Sequence, residues 1–513
     1  MVTVRKRGSF REDKAPPRST GTGRHVKARV ERGRRQTSLL LAVTIGYVVA
    51  QLFAVRPDMP IGSDEAVYVT EVYPGLVPAG WGPQRARGVP WMISPATIFS
   101  PSITTIRIYV LLVLGLLLFL GFRVWLPVLG MRAVGAAAIF TAQWATLFNG
   151  TQILPDLPVA MSSIAAAGYL AQHLSARLDD QVRRRALWKA AAWVVVAAIF
   201  RPTDAIFLTV GLLAISLTVN LRLLLARVLC LGAGLVVGWL PWAVEAQARY
   251  GGVLARTRAA SALAGVTGSV HFATLHQYLT LALSPHPNAS RIDIDYLYWA
   301  ILAAGIVVAV GRAVIFGDRT AAVAAIAGMV SGSQYLLLAP VVDPRYLLAA
   351  YGLVDISLVA VIPALPALRL LRISGWVMTG TILIAFAIYN FHSARVDGSA
   401  EYKGNSQYIQ IAAALRKLAP NEPCFFASRY GHPEITFESG CVGAVIGPSQ
   451  GAIYLPELPG SHPVYMITRG GTYKIQPVPG SLHRLPSPVV PGWWIGVAPH
   501  GVTQHAVPTH FLQ

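Results

Sequence analysis

The chain has 513 residues, 54% of them hydrophobic and only 13% charged, with a mean hydropathy of +0.52 and a formal net charge of +20. That balance excludes an ordinary soluble domain and places the chain in a bilayer. The basic surplus does not point to nucleic acid, because the cationic runs lack interleaved aromatics and match no recognition module.

Residues 1–36 carry twelve Lys and Arg against three acids and contain no apolar run, which predicts a flexible cytoplasmic tail. Apolar runs then recur near 37–55, 106–122, 133–148, 157–174, 188–200, 204–219, 226–244, 296–316, 320–341, 345–363 and 374–391, about eleven in all. They show no period-2 alternation, so they are expected to be helices rather than strands of a barrel. No small-residue cleavage site follows the first run, and it is expected to stay in the membrane.

Alternate gaps between these runs are short and basic: Arg123 and Arg132, then Arg177 with Arg183–Arg185 and Lys189, then Arg222 and Arg227, then Arg312 and Arg319, then Arg369 and Arg372. Positive residues mark the cytoplasmic side. The gaps at 56–105 and 245–295, and everything after about residue 392, therefore fall outside, giving a cytoplasmic N-terminus and an extracytoplasmic C-terminus in the plasma (inner) membrane. Part of the cationic charge is expected to meet anionic membrane lipids.

Residues 392–513 change character. "YIQIAAALRKLA" (408–419) has helical spacing, whereas "CFFAS", "GAVIG", "VYMITR" and "WWIGVA" read as short strands. The expected organisation is a basic tail (1–36), a transmembrane helical domain (37–391) and a small extracytoplasmic α/β domain (392–513). Cys424 and Cys441 both fall in that last domain, where a disulfide could persist; Cys230 lies in an apolar run and reads as packing.

Only 23 residues are acidic, yet "SDEAVYVTEVYPG", just after the first run, gathers Asp64, Glu65 and Glu71. If Ser63 caps a helix here, Asp64 and Glu65 lie in its first turn, where the helix dipole favours negative charge. On such a helix Asp64, Tyr68 and Glu71 share one stripe, and Glu65 points about 100° away. "PQRARGVPW" brings Arg85 and Arg87 back toward the same surface. Further outer gaps add Asp156, Arg201 with Asp204, Arg249, Arg256 and Arg258, and, in "VDPRYLLAAYG", Asp343, Arg345 and Tyr346. For any one arginine, snorkelling to headgroups or pairing with a nearby acid is a sufficient explanation. Their joint placement outside, against the bias that sets topology, is not explained that way.

Transfer of a sugar from a polyprenyl phosphate would use such a set. The departing phosphate is already a good leaving group and needs cations to hold its charge. The acceptor hydroxyl is a poor nucleophile and needs a base opposite the leaving group. Asp64 is the candidate base, with Glu71 or Glu65 positioning it or the acceptor.

"SDEAVYVTEVYPGL" resembles the first external loop of the GT-C glycosyltransferases, in the branch of the protein O-mannosyltransferases and the lipid A aminoarabinose transferase. "LPDLPVAMSSIAAAGYL" and "DPRYLLAAYGLV" are similar to two further landmarks of that group. The resemblance implies a polytopic helical membrane fold, a polyprenyl-phosphate sugar donor, an extracytoplasmic acceptor, inversion at the anomeric carbon and catalysis on the external face. By motif it puts the base on Asp64, its partner on Glu65, and the lipid phosphate near Arg345 and Tyr346. Ala66 and Val67 stand where the aminoarabinose branch has a basic residue, a departure that bears on the sugar.

Some members of the wider group use a divalent metal cation, for which Asp64, Glu65 and Asp156 could supply oxygen ligands; His271 and His276, five apart, have poor spacing for a helical site. The rival from another class is a transporter or flippase of an envelope precursor, which would place ionisable groups near the middle of its helices. Asp355 is the one candidate of that kind.

Overall fold

The computed structural model describes residues 22–446, apart from 101, 176–177, 218–222, 267–268, 281–291, 318, 362–373, 421–423 and 429–430, and beyond 446 the segments 453–454, 464–469, 483–484 and 493–498. Backbone amides and carbonyls have no partner in hydrocarbon except each other, so apolar runs must coil. Each run named above coincides with helix: Thr22–Ala54, Ile103–Arg123, Met131–Ala142 with Trp144–Phe148, Asp156–Leu174, Asp180–Phe200, Pro202–Leu217, Leu224–Tyr250, Ile292–Phe316, Arg319–Ser333, Leu348–Val361 and Ser374–Leu418. Among the described residues, six helical segments are long and apolar enough to cross a membrane: Glu31–Ala54, Ile103–Arg123, Leu224–Tyr250, Asp295–Phe316, Arg319–Leu338 and Pro344–Val361. The chain is an integral membrane protein.

Small residues let the helices approach closely, as they must where no hydrophobic force acts between them. A Cβ at Gly234 would sit 2.5 Å from the Ala191 carbonyl oxygen, and one at Gly238 would sit 2.6 Å from that of Val195. These two glycines thus set the spacing between the Asp180–Phe200 and Leu224–Tyr250 helices.

Two departures from the sequence reading shape the bundle. The 133–148 run breaks at Gln143, which is extended. The amide that the break releases, on Trp144, donates to Asn390 Oδ1 (2.9 Å), and the Gln143 side chain donates to Asp355 Oδ2 (2.7 Å) and Tyr298 Oη (2.9 Å). Asp355 therefore finds a partner in the break of a neighbouring helical segment. The second departure is length: the last apolar run and the separate helix expected at 408–419 form one 45-residue helix, Ser374–Leu418. No proline interrupts that stretch, so nothing stops the coil at the membrane boundary.

Beyond this helix lies a six-stranded sheet of β1 (Phe425–Ser428), β2 (Val442–Ile446), β3 (Ile453–Tyr454), β4 (Val464–Arg469), β5 (His483–Arg484) and β6 (Trp493–Ala498), in the order β3-β2-β1-β4-β6-β5. β1 pairs in parallel with β2 and β4; the outer pairings are antiparallel. The two-residue strands β3 and β5 are too short to show as periodicity. Cys424 and Cys441 are joined as a disulfide, tying the start of β1 to the residue before β2. The helix His432–Ser439 between them packs on the loop that follows the first apolar helix, with Phe437 edge-on to Tyr73 (ring centroids 5.7 Å apart).

Candidate active site

The loop that follows the first apolar helix is built around Glu65. The helix it opens spans Ser63–Thr70, and the cap is Gly62 rather than Ser63, because Glu65 in the first turn reaches back to accept the Gly62 amide at 2.9 Å. The same carboxylate accepts from Arg107 Nη2 (2.5 Å) and from the Ile153 amide (2.8 Å). Arg107, fully buried, also donates to the carbonyls of Met59 (2.7 Å) and Pro60 (3.3 Å). Glu65 is thus buried and its oxygens are engaged by three donors; it fixes the loop to the Ile103–Arg123 helix and to the segment that leads into the Asp156–Leu174 helix.

One residue earlier, Asp64 points the other way and is 40% exposed. Its Oδ1 accepts from Arg85 Nη2 (2.8 Å) and its Oδ2 from Arg345 Nη2 (2.6 Å). Burial would raise its pKa, but Arg345 and Arg85 prevail and hold it down to about 2. Tyr68, a turn further on, is buried beneath Arg85, whose guanidinium lies 5.0 Å from the ring centroid.

Arg345 is the hinge of the arrangement. Its Nε meets Asp343 Oδ2 at 2.8 Å, and its guanidinium lies 5.3 Å from the Tyr346 ring. Tyr346 stacks on Tyr335 (centroids 5.0 Å apart) and faces Arg201 at 4.8 Å. Arg201 in turn pairs with Asp156 (2.9 Å) and donates to Tyr335 Oη (2.9 Å), which donates to Asp204 (2.6 Å). Tyr335 sits in a π-helical turn, Gln334–Leu338, that ends the Arg319–Ser333 helix. Asp64, Tyr68, Arg85, Asp156, Arg201, Arg345 and Tyr346 are therefore brought into one connected network.

Glu71, Arg87 and Arg256 form a second. Arg87 pairs with Glu71 (2.5 Å) and Glu245, and stacks over Trp81 at 4.1 Å. Arg256 is fully buried, pairs with Glu245 (3.0 Å), and donates to the carbonyls of Pro83 (3.0 Å), Trp242 (2.9 Å) and Arg85 (2.9 Å). This network clasps the loop onto the Leu224–Tyr250 helix and holds the backbone of Arg85. Arg258 is exposed on the Val253–Ala264 helix and, among the described residues, joins neither network.

Arg345 also lines a cavity of about 520 Å³ together with Trp144, Phe148, Asn149, Gln152, Asp343, Asp397 and Glu401. The Trp144 and Phe148 rings stack at 4.9 Å, and Trp144 Nε1 donates to Asp397 Oδ2 (2.8 Å). Burial, reinforced by the nearby charge of Glu65, raises the Glu401 pKa to about 7. The C-terminal domain adds the buried Glu434 and the half-buried His432: desolvation raises Glu434 to about 7 and lowers His432 to about 4.

Sequence reasoning missed Arg107, Tyr335, Glu245, Trp144, Asp397, Glu401, His432 and Glu434. Asp397, Glu401 and Glu434 are three of the six acids in a stretch read only as a folded domain, and Tyr335 lay inside an apolar run. Asp64, Glu65 and Asp156 are not assembled as ligands: among the described residues no group of three or more His, Cys, Asp and Glu side chains could hold a metal ion. His271 is half-buried, its amide donating to the Leu337 carbonyl (2.9 Å), and His276 lies 3.4 Å from Tyr296 Oη.

Neither a family model nor a curated protein sequence matches this chain. Solved structures do. ArnT from Cupriavidus metallidurans in its apo state superposes with a TM-score of 0.63 at 13% identity, over 94% of this chain and 98% of that one. The chain has the fold of that ArnT structure. The same ArnT bound to undecaprenyl phosphate gives a TM-score of 0.57 at 12% identity, over 92% and 99% of the two chains. The likeness in fold covers nearly the whole length of both chains.

Proposed function

We propose that the chain is an inverting glycosyltransferase that moves a sugar from a polyprenyl-phosphate donor to a glycan, lipid or protein acceptor on the extracytoplasmic face of the plasma membrane. The observation that carries this reading is the double engagement of Arg345, which binds the Asp64 carboxylate and also lines the 520 Å³ cavity. The cation that would hold phosphate in this cavity thereby also holds the base at its rear. The basic alternate gaps and the Cys424–Cys441 disulfide, which needs an oxidising compartment, support the orientation. That ArnT has been solved with undecaprenyl phosphate supports the donor class.

Paired with two arginines, Asp64 is a weak base. A donor phosphate competes for the same guanidinium donors, and each bond it takes frees a carboxylate oxygen. Its negative charge then raises the Asp64 pKa toward the range where proton transfer is efficient. The acceptor hydroxyl attacks the anomeric carbon while Asp64 takes its proton. The bond from that carbon to the phosphate oxygen breaks on the opposite face, and its electron pair leaves on the phosphate, whose charge Arg85 and Arg345 hold. Configuration inverts because one bond forms opposite the one that breaks.

The remaining groups position these. Glu65 fixes the helix that carries Asp64; Tyr68 supports Arg85; Asp156, Arg201 and Tyr346 support Arg345; Glu71, Arg87 and Arg256 hold the loop. A divalent cation near Asp64 would have to displace Arg85 or Arg345 from its oxygens. The test is to incubate the purified protein with radiolabelled polyprenyl-phosphate monosaccharides and follow release of the lipid phosphate. Turnover with one donor supports the assignment. Transport of a lipid-linked precursor in proteoliposomes with no bond cleavage would replace it with the flippase reading.

A further inference from the structure

The 520 Å³ cavity that Arg345 borders holds more chemistry than a phosphate requires. Its volume lies inside the range of about 300–1,000 Å³ usual for a pocket that encloses one small molecule. Besides the turn that carries Arg345, the helix Ser374–Leu418 lines it with Asp397 and Glu401, four residues apart and so on one face. Trp144 and Phe148 form an aromatic wall, their rings stacked 15° from parallel, and the Trp144 ring is pinned by its bond to Asp397. Asn149 and Gln152 add side-chain amides.

Two of these polar side chains have no hydrogen-bond partner among the described residues: Gln152, only 6% exposed, and the half-buried Glu401. A polar group withdrawn from bulk water and left unpaired is costly, so a ligand rich in hydroxyls gains most here. The aromatic wall suits a C–H face, but an isoprenoid chain would cover the carboxylates and amides with hydrocarbon. A sugar ring offers both, hydroxyls at its edge and C–H bonds on its face. Glu401 also reaches the loop that carries the base: a Cβ at Gly62, two residues before Asp64, would lie 3.6 Å from Glu401 Oε1. We propose that this cavity is the sugar subsite of the donor, with the phosphate at Arg345, the ring against Trp144 and Phe148, and its hydroxyls on Gln152 and Glu401. Those two residues then select the sugar. The proposal rests on the donor assignment above and adds which side chains read the monosaccharide.

Isothermal titration of the full chain in detergent, without acceptor, compares bare polyprenyl phosphate with its glucose, mannose, galactose, arabinose and xylose derivatives, which share one lipid and one charge. The unaltered protein is expected to bind one of these sugars at least about tenfold more tightly than its epimers, the discrimination that one charge-assisted hydrogen bond supports. Glu401→Gln should weaken that donor about tenfold and Gln152→Leu about fivefold. Neither variant should weaken bare polyprenyl phosphate by more than about twofold. Equal loss for the bare lipid and the donor would make these residues supports of Arg345 or of the fold, and unchanged donor affinity in both variants would take the sugar elsewhere; either result overturns the proposal. So does equal affinity of the unaltered protein for all the sugars, a comparison that decides the matter alone should the variants fail to fold. If the bare lipid still binds, the glycosyltransferase reading survives that result; if neither bare nor glycosylated lipid binds, both fall.

Discussion

Asp64 and Arg345 lie 281 residues apart in the chain and meet at 2.6 Å. Nothing local requires this pair. It exists because the helix opened by Gly62 and the turn at Pro344–Leu347 end at the same place, and each side chain then finds its opposite charge. An ion pair in which the acid is 40% exposed is worth little for stability, which suggests that binding rather than folding is what it provides for.

If Arg345 holds the lipid phosphate, Arg345→Ala is expected to weaken binding of a polyprenyl phosphate by about 10- to 100-fold, the range for a lost charged hydrogen-bond pair. Arg345→Lys keeps the charge but not the fork and should recover only part of it. Isothermal titration in detergent checks both; equal affinity in all three proteins would remove the phosphate from this residue.

Glu401 and Glu434 titrate near 7 instead of 4.5, so the folded protein holds more protons than the unfolded chain between those values. Their stabilisation is full below the lower value and is lost as pH rises through the upper one. His432, lowered from 6.5 to about 4, acts oppositely: its contribution is full above the upper value and fades as pH falls. Two carboxyls outweigh one imidazole, so the melting temperature should decline from about pH 5 to about pH 7.5. Glu434→Gln should flatten that decline and His432→Gln should steepen it.

Arg107 and Glu65 are both buried, and removing one strands the other's charge. Arg107→Ala is expected to cost about 3–5 kcal/mol, with the Gly62 and Ile153 amides losing their ordered acceptor. Thermal unfolding measures this. A change of less than about 1 kcal/mol would mean that the first loop is held some other way.

Arg256 reaches the site only through the backbone of Arg85. Arg256→Ala should therefore lower turnover about tenfold or more by misplacing Arg85, and Arg256→Lys should not rescue it, because one ammonium cannot serve three carbonyls and Glu245 at once. The split between kcat and KM is the informative readout: loss of kcat with KM nearly unchanged marks a positioning role.

Much of this was legible in the chain. The helices follow from apolar length, because lipid allows no other solution for the backbone, and the first-loop acids stood out because acids are so scarce. Loop arginines could be placed on one side by topology but not sorted into partners. Arg85 and Arg87 are two residues apart, yet one faces Asp64 and the other faces Glu71 and Glu245. Glu65 looked like a second functional acid, and only Arg107, the Gly62 amide and the Ile153 amide reveal how fully it is engaged. Trp144 entered the cavity through a helix break that Gln143 and Asn390 satisfy from distant segments, which no local pattern encodes.

The most direct measurement is turnover and polyprenyl-phosphate affinity of Asp64→Asn in purified, folded protein. Loss of the base should reduce transfer by about 10²- to 10⁴-fold. Binding of the lipid phosphate should be kept or tightened, since the carboxylate that competes for Arg85 and Arg345 is gone. Transfer within a few-fold of the unaltered protein, or loss of lipid-phosphate binding alongside activity, would contradict the account.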